Sequence, residues 1–223
     1  MVIAFEGMDG VGKSTIASSV ANNIGFEYDP QRIKSILNAS DEDFNKFVKI
    51  IRTSKNDKLA FIFYSFRCML DKESNDNLVV DRSMVSTYYF EHSKISDKEF
   101  EYIISLDSIP DIIFLLYASS DVRKERITNR DKYDEDLKSF EALTDGYPTM
   151  LEFIKKYNLP YVGIDTEKYD INEIINICSN IINEYSYIDD SEKSEYLSNK
   201  NDEYGFENKY GFENKYILRR RLR

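Results

Sequence analysis

An α/β fold built on a parallel sheet is predicted by three observations. Short apolar runs of strand length recur along residues 1–186. Segments with helical spacing separate them. The first run also passes through a glycine-rich turn directly into a helix. Strands that alternate with helices join by right-handed crossovers, which gives a parallel sheet covered on both faces.

Each element has its own reason. Val2 to Phe5 is an apolar run ending in a Gly turn and reads as a buried strand. Lys13 to Ile24 places Ile16, Ala17, Val20, Ala21 and Ile24 on one face, and Gly25 fits the stop of that helix. After the Asp29-Pro30 turn, Ile33 to Leu70 is a helical region with breaks expected near Ser40 and Thr53. Leu59, Phe63, Phe66 and Leu70 share a face in its last part. NLVVDR (77–82), DIIFLLY (111–117) and YVGID (161–165) are three more buried-strand candidates. Asp121 to Arg130 reads as a strongly charged helix. The last clear helix carries Ile171, Ile174, Ile175, Cys178, Ile181 and Ile182, with Asp170 and Glu173 spaced as a capping box. In a sheet of this kind ligands bind beyond the carboxyl ends of the strands. The Gly turn, Asp81 and the residues after Tyr117 are therefore expected to gather at one edge.

The composition changes after Tyr187. IDDSEKSEYLSNKNDE is polar and lacks apolar periodicity, YGFENK then occurs twice in tandem (204–209 and 210–215), and YILRRRLR closes the chain. Two six-residue copies are too few for a solenoid. Residues 187–223 read as a charged, low-complexity extension, disordered or loosely docked. The alternative is that its basic end meets an acidic partner or nucleic acid.

A formal net charge of -10 on 223 residues argues against a general nucleic-acid or membrane binder, because an acidic field repels phosphates. An anionic ligand then needs a local pocket of Lys, Arg and backbone N–H groups. No apolar run approaches a membrane span and no secretory signal is visible, so a cytoplasmic location is expected. Cys68 and Cys178 stand far apart in apolar stretches and read as reduced thiols.

The chemistry starts at Gly7 to Ser14, GMDGVGKS, which satisfies G-x-x-x-x-G-K-[ST]. A loop that wraps a phosphate with backbone N–H groups has no room for side chains, and the helix behind it offers its N-terminal N–H groups to the same anion. Gly7, Gly10, Val11, Gly12, Lys13, Ser14 and Thr15 make up the expected ATP site. Lys13 reaches the β- and γ-phosphates and the Ser14 hydroxyl coordinates Mg²⁺. Asp81 ends a buried strand, where an acid can bind Mg²⁺ through water or take a proton from an acceptor. Arg82 can hold an acceptor phosphate through bidentate contacts. The structural alternative is a capping Asp beside a surface Arg. Arg123, Arg126 and Arg130 share one helical face, either as a solvated face paired with Glu125, Asp131 and Asp134 or as a lid over the transferring phosphoryl group. Phe63 and Arg67 lie one helical turn apart. They suit either a core ring with an ion-pair partner, or a ring and guanidinium facing a base.

Taken together, these residues resemble the thymidylate kinase family, in order along most of residues 1–186. AFEGMDGVGKST is similar to that family's phosphate loop, FYSFRCML to its base-binding helix, and VVDRSMVSTYYF to its Asp-Arg-aromatic-x-x-Ser segment. PDIIFLLYASSDVRKERITNR is similar to its strand and arginine-rich lid, here about 121–137, and YVGID to the strand leading to the adenine side. The resemblance implies a three-layer P-loop kinase fold over 1–186, usually a homodimer. It implies that Phe63 stacks on thymine and Arg67 contacts it. Arg82 then holds the acceptor phosphate, with Ser86 and Phe90 in the acceptor site, and Asp9 lies near the acceptor sugar 3′-hydroxyl. Arg126 and Arg130 inherit the lid role and supply the catalytic arginine, with Lys13, Asp9 and Arg82 completing the catalytic set.

The chain departs from that pattern in places. FEYDPQRI stands where the family has Thr-Arg-Glu-Pro-Gly-Gly, leaving Arg32 as the substitute for an acceptor-phosphate arginine. Ser83 replaces an aromatic residue, which gives a triplet also met in deoxynucleoside kinases, and Glu91 stands where Gln is common. The leading expectation is Mg²⁺-dependent transfer of the ATP γ-phosphate to dTMP, giving dTDP and ADP. One alternative is a deoxynucleoside kinase with Asp81 or Glu91 as the base. Another is a nucleotide-binding regulator that has lost transfer.

Overall fold

The structure is a computed structural model that describes residues 1–73, 77–130 and 145–210. The remainder of the expected lid, 131–137, and the tail from 211 onward lie outside the described residues. Among the described residues five strands, β1 (Val2–Glu6), β2 (Glu27–Tyr28), β3 (Leu78–Asp81), β4 (Ile112–Tyr117) and β5 (Tyr161–Asp165), form one parallel sheet in the order β2-β3-β1-β4-β5. The register sets Phe5 beside Asp81 on one side and beside Phe114 on the other. β1 and β4 are buried along their whole length, as strands covered on both faces must be.

The first helix, α1 (Lys13–Ile24), begins at left-handed Gly12 and ends at left-handed Gly25, as the sequence predicts. The long helical region resolves into α2 (Arg32–Leu37), α3 (Asp41–Arg52) and α4 (Leu59–Lys72). Ser40 caps α3 by accepting from the Asp43 N–H, which explains the first break. Three helices that the pattern reading did not single out follow: α5 (Met84–Glu91), α6 (Asp97–Ile104) and, after α7 (Ser120–Arg130), α8 (Tyr147–Lys156). Their interior faces meet in an aromatic cluster, with Tyr88 stacked on Phe153 at 4.4 Å and Phe100 edge-on to Tyr88 at 4.9 Å. Next comes α9 (Ile171–Tyr185), opened by the capping box of Asp170 and Glu173. It packs beside α1, while α5 packs on α4 and α8, so helices cover both faces of the sheet. Cys68 and Cys178 are buried free thiols.

The expectation of a disordered or loosely docked tail does not hold for residues 193–210. They form α10 (Lys193–Tyr204) and a short 3₁₀ turn (Glu207–Tyr210), with Leu197 and Phe206 buried. The reason is an unfinished sheet edge. The Asn201 side chain donates to the Tyr161 carbonyl at 2.8 Å and accepts from the Gly163 N–H at 2.6 Å, so it satisfies β5 where a sixth strand would otherwise be needed. One asparagine and two apolar side chains do this, which average composition does not register.

Candidate active site

Beyond the carboxyl ends of β1 and β3, a cavity of about 780 Å³ is lined by the phosphate loop, Asp81, Arg82 and residues of α3 and α4. Lys13 reaches it from the first turn of α1. The ammonium is 7% exposed and donates to the Met8 carbonyl at 3.0 Å. Burial and the neighbouring Arg82 press its pKa down to about 8, against the pull of Asp9, Asp81 and Glu6. Gly10 has φ +86°, and a Cβ there would lie 2.8 Å from the Arg123 carbonyl of α7, so glycine is required where helix and loop touch.

Asp9 and Arg82 meet in the cavity wall. Their ion pair crosses from loop to strand end, and Lys13 Nζ lies 3.4 Å from the same Asp9 oxygen. Burial raises the Asp9 pKa, but Arg82 and Lys13 outweigh it and hold the carboxyl below its usual value. Arg82 Nη1 donates to Ser86 Oγ at 3.0 Å, and its guanidinium lies 5.6 Å from the centre of the Phe90 ring. Its backbone has φ 74°, a left-handed conformation uncommon for a residue with a side chain. Two bonds hold it there. The Arg82 N–H donates to the Phe5 carbonyl at 3.0 Å, and Arg67 Nη2 donates to the Arg82 carbonyl.

Behind this pair sits a residue the sequence reading passed over. Glu6 ends β1 and is fully buried. It accepts from Ser83 N–H at 2.5 Å, Ser83 Oγ at 2.7 Å, Ser86 N–H at 3.1 Å and Ser86 Oγ at 2.5 Å. The carboxylate thus caps the first turn of α5, where the helix dipole favours an anion, and fixes the segment that carries Arg82. The available signal was an acid at the end of an otherwise apolar strand, since Glu is almost never fully buried without partners.

On α4, Phe63 and Arg67 both line the cavity, joined by Phe44 and Val48 of α3 and by Tyr28 of β2. Phe63 is braced edge-on by Phe47 at 5.6 Å and by Tyr64 at 5.1 Å. Arg67 Nε lies 3.7 Å from Asp71 Oδ2. A ring and a cation therefore both line the cavity. Gly10, Gly12, Ser14, Thr15, Arg126 and Arg130 also line it. Gly7, Val11, Ser86 and Phe90 are not among the lining residues. Val11 is buried, Ser86 spends its hydroxyl on Glu6 and Arg82, and Phe90 supports Arg82 from behind. Arg32 is not among the lining residues, and its guanidinium lies 3.6 Å from Glu27 and 3.8 Å from Asp29. Glu91 is buried and paired with Lys94 at 3.2 Å, away from the cavity, which removes it as a base.

Of the α7 arginines, Arg123 is buried while Arg126 and Arg130 are exposed, so the solvated-face reading fails outright only for Arg123. Arg123 is 4% exposed and donates to the Asp9 carbonyl at 3.3 Å. Arg126 donates to Thr166 Oγ1 and to the Thr166 carbonyl, both at 2.9 Å, and reaches the Val11 carbonyl at 3.5 Å. Here Arg126 ties the phosphate loop to the end of β5 while also lining the cavity.

The donor set fits a small hard cation. Ser14 Oγ donates to Asp81 Oδ2 at 2.5 Å, and Asp81 Oδ1 is buried without a hydrogen-bond partner. An orphaned carboxylate oxygen beside a hydroxyl, next to a phosphate loop, is the oxygen-donor chemistry that Mg²⁺ prefers.

The chain is similar to known proteins. The family model for thymidylate kinase matches residues 5–176. A probable thymidylate kinase of Methanococcus maripaludis is 28% identical over 197 residues, covering 81% of this chain and 94% of its own. Two solved structures share the fold. A deoxyadenosine kinase from M. mycoides with dCMP and dCDP bound has a TM-score of 0.55 and 22% identity, covering 82% of this chain and 100% of its own. The YorR protein from Bacillus subtilis, in complex with phosphorylated GDP, has a TM-score of 0.57 and 19% identity, covering 85% and 99%. The match takes in the phosphate loop, the base-side helix and the Asp-Arg segment together, and this ATP-dependent nucleotide kinase belongs to the thymidylate kinase family.

Proposed function

We propose that this chain transfers the γ-phosphoryl group of ATP to dTMP, giving dTDP and ADP. The observation that carries the reading is the Arg82 guanidinium, braced by Asp9, Ser86 and Phe90 on the acceptor side of the cavity, across from Lys13. A phosphate oxygen of dTMP attacks the γ-phosphorus as the bond to the β–γ bridging oxygen breaks, and ADP leaves with that electron pair. The acceptor is already anionic near neutral pH, so little base catalysis is needed, and positioning and charge neutralisation do most of the work.

The residues divide accordingly. The loop N–H groups and Lys13 hold the donor phosphates. Arg82 holds the acceptor phosphate and Asp9 orients Arg82 while facing the acceptor sugar. Phe63 stacks on the base and Arg67 contacts it. Arg130 and, on release from Thr166, Arg126 spread over the developing charge. Ser14 directly and Asp81 through water would hold Mg²⁺, which when bound neutralises charge on the β- and γ-phosphates.

A cytoplasmic homodimer fits the remaining observations. No helix among the described residues is long and apolar enough to cross a membrane. Ile50 of α3 and Ile62 of α4 are 64% and 55% exposed, and such side chains support burial against a second copy. The test of the function is chromatographic detection of dTDP after incubation with ATP, Mg²⁺ and dTMP. The expected result is dTDP formed in step with ADP. ADP release without dTDP would refute the assignment.

A further inference from the structure

Residues 193–210 lie beyond the 5–176 span matched by the family model, yet they pack against β5 and the end of β4. Phe206 is 2% exposed and stacks at 4.6 Å on Tyr117, the last residue of β4. A Cβ on Gly163 would lie 3.1 Å from the Phe206 ring, so β5 is built to leave room for it. Lys209 Nζ sits 2.9 Å from Asp165 Oδ2 and 4.3 Å from the centre of the Tyr117 ring. Asp165 ends β5 and is 1% exposed, and among the described residues Lys168 at 3.9 Å is the other cation paired with it. A carboxylate so buried is expensive to leave unpaired, so Lys209 stabilises the charge of Asp165.

Asp165 in turn shapes the loop behind it. Its Oδ1 accepts from the Glu167 N–H at 3.1 Å, and Thr166 donates to the Tyr117 carbonyl through both its N–H and its hydroxyl, each at 2.8 Å. Glu167 closes the bridge by accepting from the Ser119 N–H. Arg126 then links Thr166 to Val11 of the phosphate loop. Phosphoryl transfer places donor and acceptor roughly in line on either side of the moving group. The acceptor wall, with Phe63, Arg67 and Arg82, lies on the β3 side. The donor nucleoside must therefore leave the loop toward the ends of β4 and β5, where this bridge stands.

We infer that residues 193–210 are a working part of the donor site, with Phe206 and Lys209 as positioning residues that hold the 117–119 and 165–167 loops against the nucleoside of ATP. The inference rests on ATP being the donor and does not depend on which acceptor is used. The experiment compares full-length protein with Lys209→Ala, Lys209→Arg and Phe206→Leu, measuring the Kd for ATP and for dTMP by calorimetry alongside thermal melting. Lys209→Ala and Phe206→Leu should weaken ATP about fivefold or more, the lower end of coupling between linked sites, with dTMP changed by less than about twofold. Lys209→Arg should restore ATP affinity. Unchanged ATP affinity in Lys209→Ala, or equal weakening of ATP and dTMP, would overturn the inference. Failure of the unaltered protein to make dTDP would remove the acceptor assignment and leave the ATP result readable.

Discussion

The two walls flanking the phosphate loop are built in different ways. The proposed acceptor wall is made of charged side chains held in place by polar and charged partners: Asp9 on Arg82, Glu6 on Ser83 and Ser86, Arg67 on the Arg82 carbonyl. The region at the ends of β4 and β5, inferred to face the donor nucleoside, is made of backbone and rings: Thr166 on the Tyr117 carbonyl, Phe206 on Tyr117, with Lys209 closing over Asp165. Only the first wall contains a residue in a strained left-handed conformation, Arg82, among the described residues that line the cavity and carry a side chain. The contrast suits the chemistry. A small charged acceptor needs aimed cations, while a nucleoside already anchored through three phosphates needs a shaped edge.

Substitutions can separate the walls. Lys13 serves both, so Lys13→Ala should lower kcat by about 10³-fold or more, because it removes the buried cation at the transferring group. Steady-state kinetics with each substrate varied in turn would check this, and a loss confined to one substrate would assign Lys13 to one wall. Arg82→Ala comes next. It should lower kcat/KM for dTMP by roughly 10²–10³-fold while ATP affinity changes less than about threefold. Near-normal turnover would remove Arg82 from the acceptor site.

Glu6→Gln should act more mildly and on the same wall. The amide keeps the size but loses the charge that accepts four hydrogen bonds, so the loop carrying Arg82 loosens. KM for dTMP should rise about tenfold, with a loss of roughly 2–4 kcal/mol in stability read by urea unfolding. An equal rise in KM for ATP would make Glu6 a general structural residue instead.

The smallest effect is pH dependence. Lys13 is charged below its folded pKa of about 8 and neutral above it. ATP affinity should be flat below that pH and fall by up to about tenfold per unit above it, with proton uptake on binding near pH 8.5. Calorimetry in buffers of different ionisation enthalpy would measure the uptake. Affinity independent of pH up to about 10 would mean the ammonium keeps an ordinary pKa.

Legibility in the sequence followed the same division. The phosphate loop was readable because its glycines, Lys13 and Ser14 sit at fixed offsets between an apolar run and a helical face. β3, β4, β5 and α9 were readable from apolar runs and a capping box. Phe63 and Arg67 were readable only as a pair on one turn. Glu6 was not, because a single acid at a strand end carries no periodicity, and its four partners come from a segment about 80 residues away. β2 is two residues long, too short to leave a pattern. The seat of 193–210 escaped because it depends on Asn201, Phe206 and Lys209 meeting β5, a tertiary event that a polar composition hides. Arg32, the sequence's candidate for the missing acceptor arginine, is held in local ion pairs with Glu27 and Asp29, which spacing in the sequence does not reveal.

The account stands most directly on the ratio of kcat/KM for dTMP to that for thymidine, measured with ATP and Mg²⁺ in one coupled ADP-release assay. An Arg82 guanidinium aimed at an acceptor phosphate predicts a preference for dTMP of about 10²-fold or more, the scale of one charge-assisted contact made at the reacting group. A ratio near or below one would contradict it, and would place a free hydroxyl where the acceptor phosphate is now assigned.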